Sequence, residues 1–165
     1  MRLIENLYSS LMRYKTQYGE FEPDLAERHE IADDGLTYTF YLRRDARFHS
    51  GRPVTASDVA YSIGRIRKYQ VRADQFAAIE RIEKPDPRTV VFHLSRPSAP
   101  LLSAFADPMN AIVDREAVEA NDGSLDSVEA GSGPFRLGEW MKARHLIMER
   151  NPDYYVNALP YLDAV

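Results

Sequence analysis

The segment Asp33-Asp34-Gly35 followed by Leu36-Thr37-Tyr38-Thr39-Phe40-Tyr41-Leu42 constrains the fold more than any other part of the chain. Leu36, Tyr38, Phe40 and Leu42 alternate with Thr37, Thr39 and Tyr41, and a strand sends successive side chains to opposite faces. That period of two, with one apolar face, predicts a half-buried antiparallel strand. Asp33-Asp34-Gly35 predicts the tight turn before it, because glycine accepts positive φ without a Cβ clash. Residues 24–43 therefore read as a hairpin.

The following residues change period. Ser50-Gly51-Arg52-Pro53 predicts a turn, and Thr55 is placed to cap a helix whose Asp58 reaches back to the cap amide. Val59, Ile63 and Ile66 form its apolar stripe, and Arg65, Arg67 and Lys68 sit where the helix dipole favours cations. A second hairpin is predicted around Pro85-Asp86-Pro87-Arg88. Beyond it, 101–106 reads as a short helix, 110–114 as a strand, and 115–121 as a helix closed by Asp122-Gly123. Residues 133–151 read as two strands about a turn near Met141 to Ala143. At the N-terminus, Leu3, Leu7 and Leu11, with Ile4 and Tyr8 beside them, predict a helical segment ending before residue 16. Mixed, hairpin-rich order favours an α+β fold over a doubly wound parallel sheet.

The chemistry-bearing residues are sparse. The chain has no cysteine, which removes disulfides, thiol nucleophiles and thiolate-bound zinc. His29, His49, His93 and His145 are dispersed, with no pair at helical metal-ligand spacing, so packing or hydrogen bonding is the expected role of each. Asp33 and Asp34 flank a glycine turn, where Asp serves the backbone. Ser132 in Gly131-Ser132-Gly133-Pro134 does not match a nucleophile elbow, and these glycines alone make no phosphate cradle. Arg43, Arg44, Arg47 and Arg52 are expected to form solvated pairs with carboxylates such as Asp45 and Asp58. No catalytic residue, metal or cofactor is expected. A net charge of −4 gives no footprint for nucleic acid or an anionic membrane. No apolar run approaches the ~20 residues a membrane span needs, and Glu5, Asn6, Ser9 and Ser10 interrupt any leader-like N-terminus. At 165 residues the chain is one domain or a piece of a larger one.

Several motifs in order carry more information than any single one. Pro23 to Glu27, Asp33 to Arg43 and Phe48 to Val59 form a first block. Thr89-Val90-Val91-Phe92 with Leu94 and Pro97, and then Gly131 to Phe135, form a second. Glu149 to Tyr155 and Pro160-Tyr161-Leu162-Asp163 form a third. Together these blocks resemble the extracellular solute-binding proteins of family 5, the peptide- and nickel-type binding proteins of ABC transporters. Ser132 departs from the usual Thr but keeps a hydroxyl.

The resemblance implies part of the first lobe of a type II periplasmic-binding-protein fold. Residues from about 24 to 130 would form its smaller subdomain, and 1–23 and 131–165 would be flanking elements of the larger one, with the second lobe absent. It implies a non-enzymatic protein, periplasmic or extracellular, that captures a peptide or similar solute and hands it to a membrane permease. Peptides, nickel chelates, opines and oligosaccharides all remain open as ligands. Gly131, Ser132 and Gly133 would lie near the cleft, as would Asp74, Phe76, Asp107, Met109 and Asn110. A cleft that closes by hinge motion needs both walls, so this chain alone is expected to bind weakly. The solute-sensing domain of a cytoplasmic transcriptional regulator is the alternative, and a small hydrolase using Ser132 with His145 a remote one.

Overall fold

The computed structural model describes residues 2–15, 19–69, 72–125, 129–141 and 144–165. Its centre is an antiparallel four-stranded sheet in the order β3-β4-β6-β5: β3 Ala26–Ile31, β4 Thr37–Leu42, β5 Ile79–Asp86 and β6 Thr89–Leu94. The alternation that opened the sequence reading sets this sheet. Tyr38, Phe40 and Leu42 are buried, while Thr37, Thr39 and Tyr41 stay partly exposed. Gly35 takes φ +66°, and the Asp34 carboxylate accepts the Leu36 N–H at 2.8 Å, so the turn is built as predicted. Phe40 and Phe92 meet Phe105 at ring-centroid distances of 4.9 and 4.7 Å, which ties the sheet to α3 (Leu101–Ala106). The second hairpin turns at Pro87-Arg88, and Pro85 lies within the edge strand β5, where a missing N–H is tolerated.

At the start of helix α2 (Ala56–Tyr69) Asp58 reaches back to the cap as predicted: its Oδ2 accepts the Thr55 N–H at 2.9 Å and the Thr55 hydroxyl at 2.6 Å. Val59 and Ile63 are buried and Ile66 packs partly buried against the core. Asp114 caps α4 (Arg115–Ala120), accepting the N–H groups of Glu116 and Ala117. Between the two caps runs Arg52, which is not the solvated pair expected of it. Its guanidinium contacts Asp58, and reaches Asp114 Oδ1 at 2.8 Å, and both carboxylate side chains are almost wholly buried. Burial pushes the Asp114 carboxyl up, but the hydrogen bonds from Ser50 and Arg52 outweigh it and hold the group below its usual range. Arg43, by contrast, pairs with the exposed Asp45 at 3.1 Å as expected.

Two further expectations give way. The N-terminal helix α1 ends at Leu7, and Met12–Tyr14 is a strand, β1, paired with β2 (Phe21–Pro23). The reason is polar: the Ser10 N–H donates to Asp24 at 3.0 Å, and the Ser9 carbonyl accepts from Ile112 at 2.9 Å, so the chain leaves the helix to make these distant bonds. Residues 110–114 form no strand beyond the single bridge of Ile112 to Ser9. Pro108–Asn110 is a 3-10 turn capped by the Asp107 carboxylate. The last hairpin forms as β7 (Phe135–Met141) and β8 (His145–Arg150); Lys142 and Ala143 of its turn lie outside the described residues. No helix among the described residues is long and apolar enough to cross a membrane.

Candidate functional site

Where α1 gives way to β1, a groove of about 520 Å³ opens along Tyr8, Ser9, Ser10, Met12, Arg13 and Tyr14. Ala106 and Pro108, flanking Asp107, contribute to it, as do Pro134 and Phe135 after the Gly131–Gly133 segment. Tyr154 and Leu159 to Leu162, which include a cis Leu159–Pro160 peptide, complete the lining. Its volume falls within the roughly 300–1,000 Å³ of small-molecule sites. The sequence reading did not single out Tyr8, Ser10, Arg13, Asp24 or Tyr154 as a site. The signal available was the Ser9-Ser10 pair, whose hydroxyls and amides compete with helix continuation.

Asp24 fixes this wall from behind. It is 7% exposed, and its carboxylate accepts the Ser10 N–H at 3.0 Å and the Tyr155 hydroxyl at 2.6 Å. Burial pushes the Asp24 carboxyl up, against these hydrogen bonds and the Arg13 and Arg43 charges. Burial, reinforced by the Asp24 charge, pushes the Tyr155 phenol well above its ordinary range. The phenol donates to the carboxylate, and the bonded pair braces Ser10 against the chain's C-terminal stretch. On the side of Arg43, Asp45 and Asn157 a second, polar recess of about 310 Å³ shares Arg13 and Asp24 with the groove.

The segment 131–133 is a seam where three stretches of chain converge. The His49 N–H donates to Gly131 O at 2.8 Å and the His49 ring nitrogen Nε2 to Gly133 O at 3.1 Å. The Gly133 N–H donates to Leu7 O at 3.1 Å, and the Asn151 amide to Gly133 O at 2.9 Å. A Cβ on Gly131 would stand 1.9 Å from Leu7 O, and one on Gly133 would stand 2.4 Å from Asn6 O. Ser132 is fully buried and its hydroxyl meets neither His145 nor any other hydrogen-bond partner among the described residues; His145 instead faces Glu139 at 3.5 Å. His29 stacks on Phe40 at 5.6 Å and His93 bonds Glu83 at 3.1 Å. Each histidine thus has a packing or hydrogen-bonding role. Among the described residues no group of three or more His, Cys, Asp or Glu could hold a metal ion.

The other sequence-derived candidates spread out. Asp107 joins the groove's back wall, since its carbonyl accepts the Ser10 hydroxyl at 3.4 Å while its carboxylate pairs with Arg72. Met109 is 47% exposed and borders a smaller recess with Ile4, Tyr8 and Leu125. Asn110 is buried, donating to Gln75 at 2.6 Å and to Ala104 O at 3.0 Å. Phe76 is fully buried against Phe105, and Asp74 lies on the same 3-10 turn. None of the eight lines the large groove with its own side chain, although Ala106, Pro108 and Pro134, their chain neighbours, do.

Comparison with known proteins is consistent across sequence and structure. Residues 20–165 match the family described as bacterial extracellular solute-binding proteins, family 5 middle. The probable D,D-dipeptide-binding periplasmic protein DdpA of Escherichia coli (strain K12) is 37% identical over 157 residues, covering 89% of this chain and 30% of its own length. The structure of the periplasmic binding protein AgaA of A. tumefaciens R10 with agropinic acid superposes with a TM-score of 0.91 at 32% identity, over 98% of this chain and 33% of that one. The periplasmic binding protein DppA of Helicobacter pylori, in complex with the peptide STSA, gives a TM-score of 0.81 at 29% identity, over 96% of this chain and 36% of that one. The chain thus spans about a third of the length of these relatives. Its mixed α+β fold, with antiparallel sheets and short helices, matches about a third of the type II periplasmic-binding-protein fold of these neighbours. The chain belongs to the bacterial extracellular solute-binding proteins of family 5.

Proposed function

We propose that this chain supplies one wall of the ligand cleft in the substrate-binding component of an ABC transporter, which captures a peptide or similar small solute and delivers it to a membrane permease. The observation that carries this reading is the open groove at the α1–β1 turn, in a chain whose named relatives bind a D,D-dipeptide, a peptide and agropinic acid. A concave, mainly apolar wall with a few fixed polar groups is the usual form of a small-molecule site. Ser10, held by Asp24, supplies such a polar group. Capture would take place in the periplasm or outside the cell, and no catalytic step is assigned.

The four-stranded sheet and α2 to α4 lie between residues 24 and 130, whereas β1–β2 and β7–β8 come from the flanking stretches. This supports a smaller subdomain over about 24–130, with 1–23 and 131–165 belonging to a larger one. Gly131, Ser132, Gly133 and Asp107 then act from behind the wall, by holding Leu7 and Ser10 in place. Met109 borders the cleft edge, and Asn110 beside it bonds Gln75 on the 3-10 turn that carries Asp74 and Phe76, which thereby support it.

The test is calorimetric titration of the full-length protein that carries this chain with di- and tripeptides, agropinic acid and nickel–histidine. Saturable binding of a member of this set is expected. Absence of heat and of any thermal stabilisation with all of them would sink the reading.

A further inference from the structure

The groove is lined by five aromatic rings, those of Tyr8, Tyr14, Phe135, Tyr154 and Tyr161. Pro108, Pro134 and Pro160 add rigid apolar surface between them. Tyr14, whose ring also packs against Phe21 at a centroid distance of 5.2 Å, is 45% exposed and Tyr161 is 81% exposed, so each still turns a free face toward the groove. Exposed aromatic rings gain when another ring or a prolyl face covers them. The charges in the groove point the same way. Glu5 brings a carboxylate to the lining, Asp24 lies behind it bonded to Ser10 and Tyr155, and the one cation among the described lining residues, Arg13, is already paired with Glu22 at 2.6 Å. An acidic ligand side chain entering here meets like charge and no free counter-charge, and desolvation would add to its cost.

We propose that the groove selects its ligand by chemistry: a short peptide with an aromatic or prolyl side chain, and against one with an acidic side chain. This rests on the reading of the groove as a cleft wall and names what that wall prefers. Tyr14 and Tyr161 are the specificity-determining residues, the first from β1 and the second from the turn after the cis Leu159–Pro160 peptide.

Calorimetry of the full-length protein with Ala-Phe-Ala, Ala-Pro-Ala, Ala-Ala-Ala and Ala-Glu-Ala separates the possibilities. The aromatic and prolyl peptides should bind about tenfold tighter than Ala-Ala-Ala, the scale of one well-placed aromatic contact. Ala-Glu-Ala should bind more weakly than Ala-Ala-Ala. The double variant Tyr14→Ala and Tyr161→Ala should abolish the roughly tenfold preference for the aromatic and prolyl peptides over Ala-Ala-Ala, whatever the affinity of that reference peptide becomes. Circular dichroism melting checks that the variant is folded, and Tyr161→Ala alone should already lower the preference. Equal affinity for all four peptides, or a uniform loss across them in the double variant, overturns the inference while capture itself stands. If none of the four binds but agropinic acid or nickel–histidine does, the inference falls and solute capture survives. If nothing binds, both fall together.

Discussion

Gly35 in the first hairpin and Gly131 in the seam are both places that favour glycine, and for opposite reasons. Gly35 is required by its own backbone. Its φ is +66°, and a Cβ there would make only an ordinary 3.7 Å contact with Pro97. Gly131 is required by its surroundings. A Cβ would stand 1.9 Å from the carbonyl of Leu7, which belongs to the far end of the sequence. The hairpin is dictated by residues a few positions apart. The seam is dictated by three stretches of chain that meet only after folding, around the hydrogen bonds that His49, Leu7 and Asn151 make to residues 131–133.

The sharpest way to break this contrast is Gly131→Ala. The methyl overlaps backbone that cannot move without losing the Gly133 N–H to Leu7 O bond, so we expect a loss of about 3 kcal/mol or more, or no folded protein. Urea denaturation, or soluble yield where the variant does not fold, measures it. Gly35→Ala should cost only about 1–2 kcal/mol, the penalty of a left-handed backbone, and Gly35→Asn less still. If alanine at 35 proved as damaging as at 131, the division into backbone-driven and contact-driven glycines would fail.

The same division explains what was legible in the sequence. Thr55 and Asp58 are three residues apart, so the reach of Asp58 back to the cap amide could be read directly, and it is present at 2.9 Å. The alternation from Leu36 to Leu42 was equally local and equally reliable. The helical spacing of Leu3, Leu7 and Leu11 was just as clear, yet the helix stops at Leu7. Ser10 bonds Asp24 and Ser9 bonds Ile112, and neither partner is visible from the spacing. The groove was missed for that reason: it is created by the break in the helix. Arg52 was misjudged in the same way. Asp58 lies near it in sequence, but the second buried carboxylate, Asp114, comes from a distant helix cap. The motifs shared with family 5 identified the chain because they are largely these local devices; they said less about the wall they support.

The mildest test uses the one titratable side chain in the seam. His49 is 7% exposed, and burial pushes its pKa below the ordinary 6.5. The Gly133 carbonyl and the charge of Glu129 favour the imidazolium, the charge of Arg136 opposes it, and burial prevails. A His whose folded pKa is depressed favours the fold in its neutral form. Its contribution is fully present above 6.5 and is lost as the pH falls from there through the folded value. The His49 contribution should therefore be lost as pH falls from 7.5 to 5, and His49→Gln should remove that part of the pH dependence. Glutamine can still donate to the Gly133 carbonyl, so the cost at pH 7.5 should be smaller than that of either alanine substitution. Urea midpoints at the two pH values, for both proteins, decide it. Parallel profiles would mean that the seam feels no charge at His49, and that its glycines are held by shape alone.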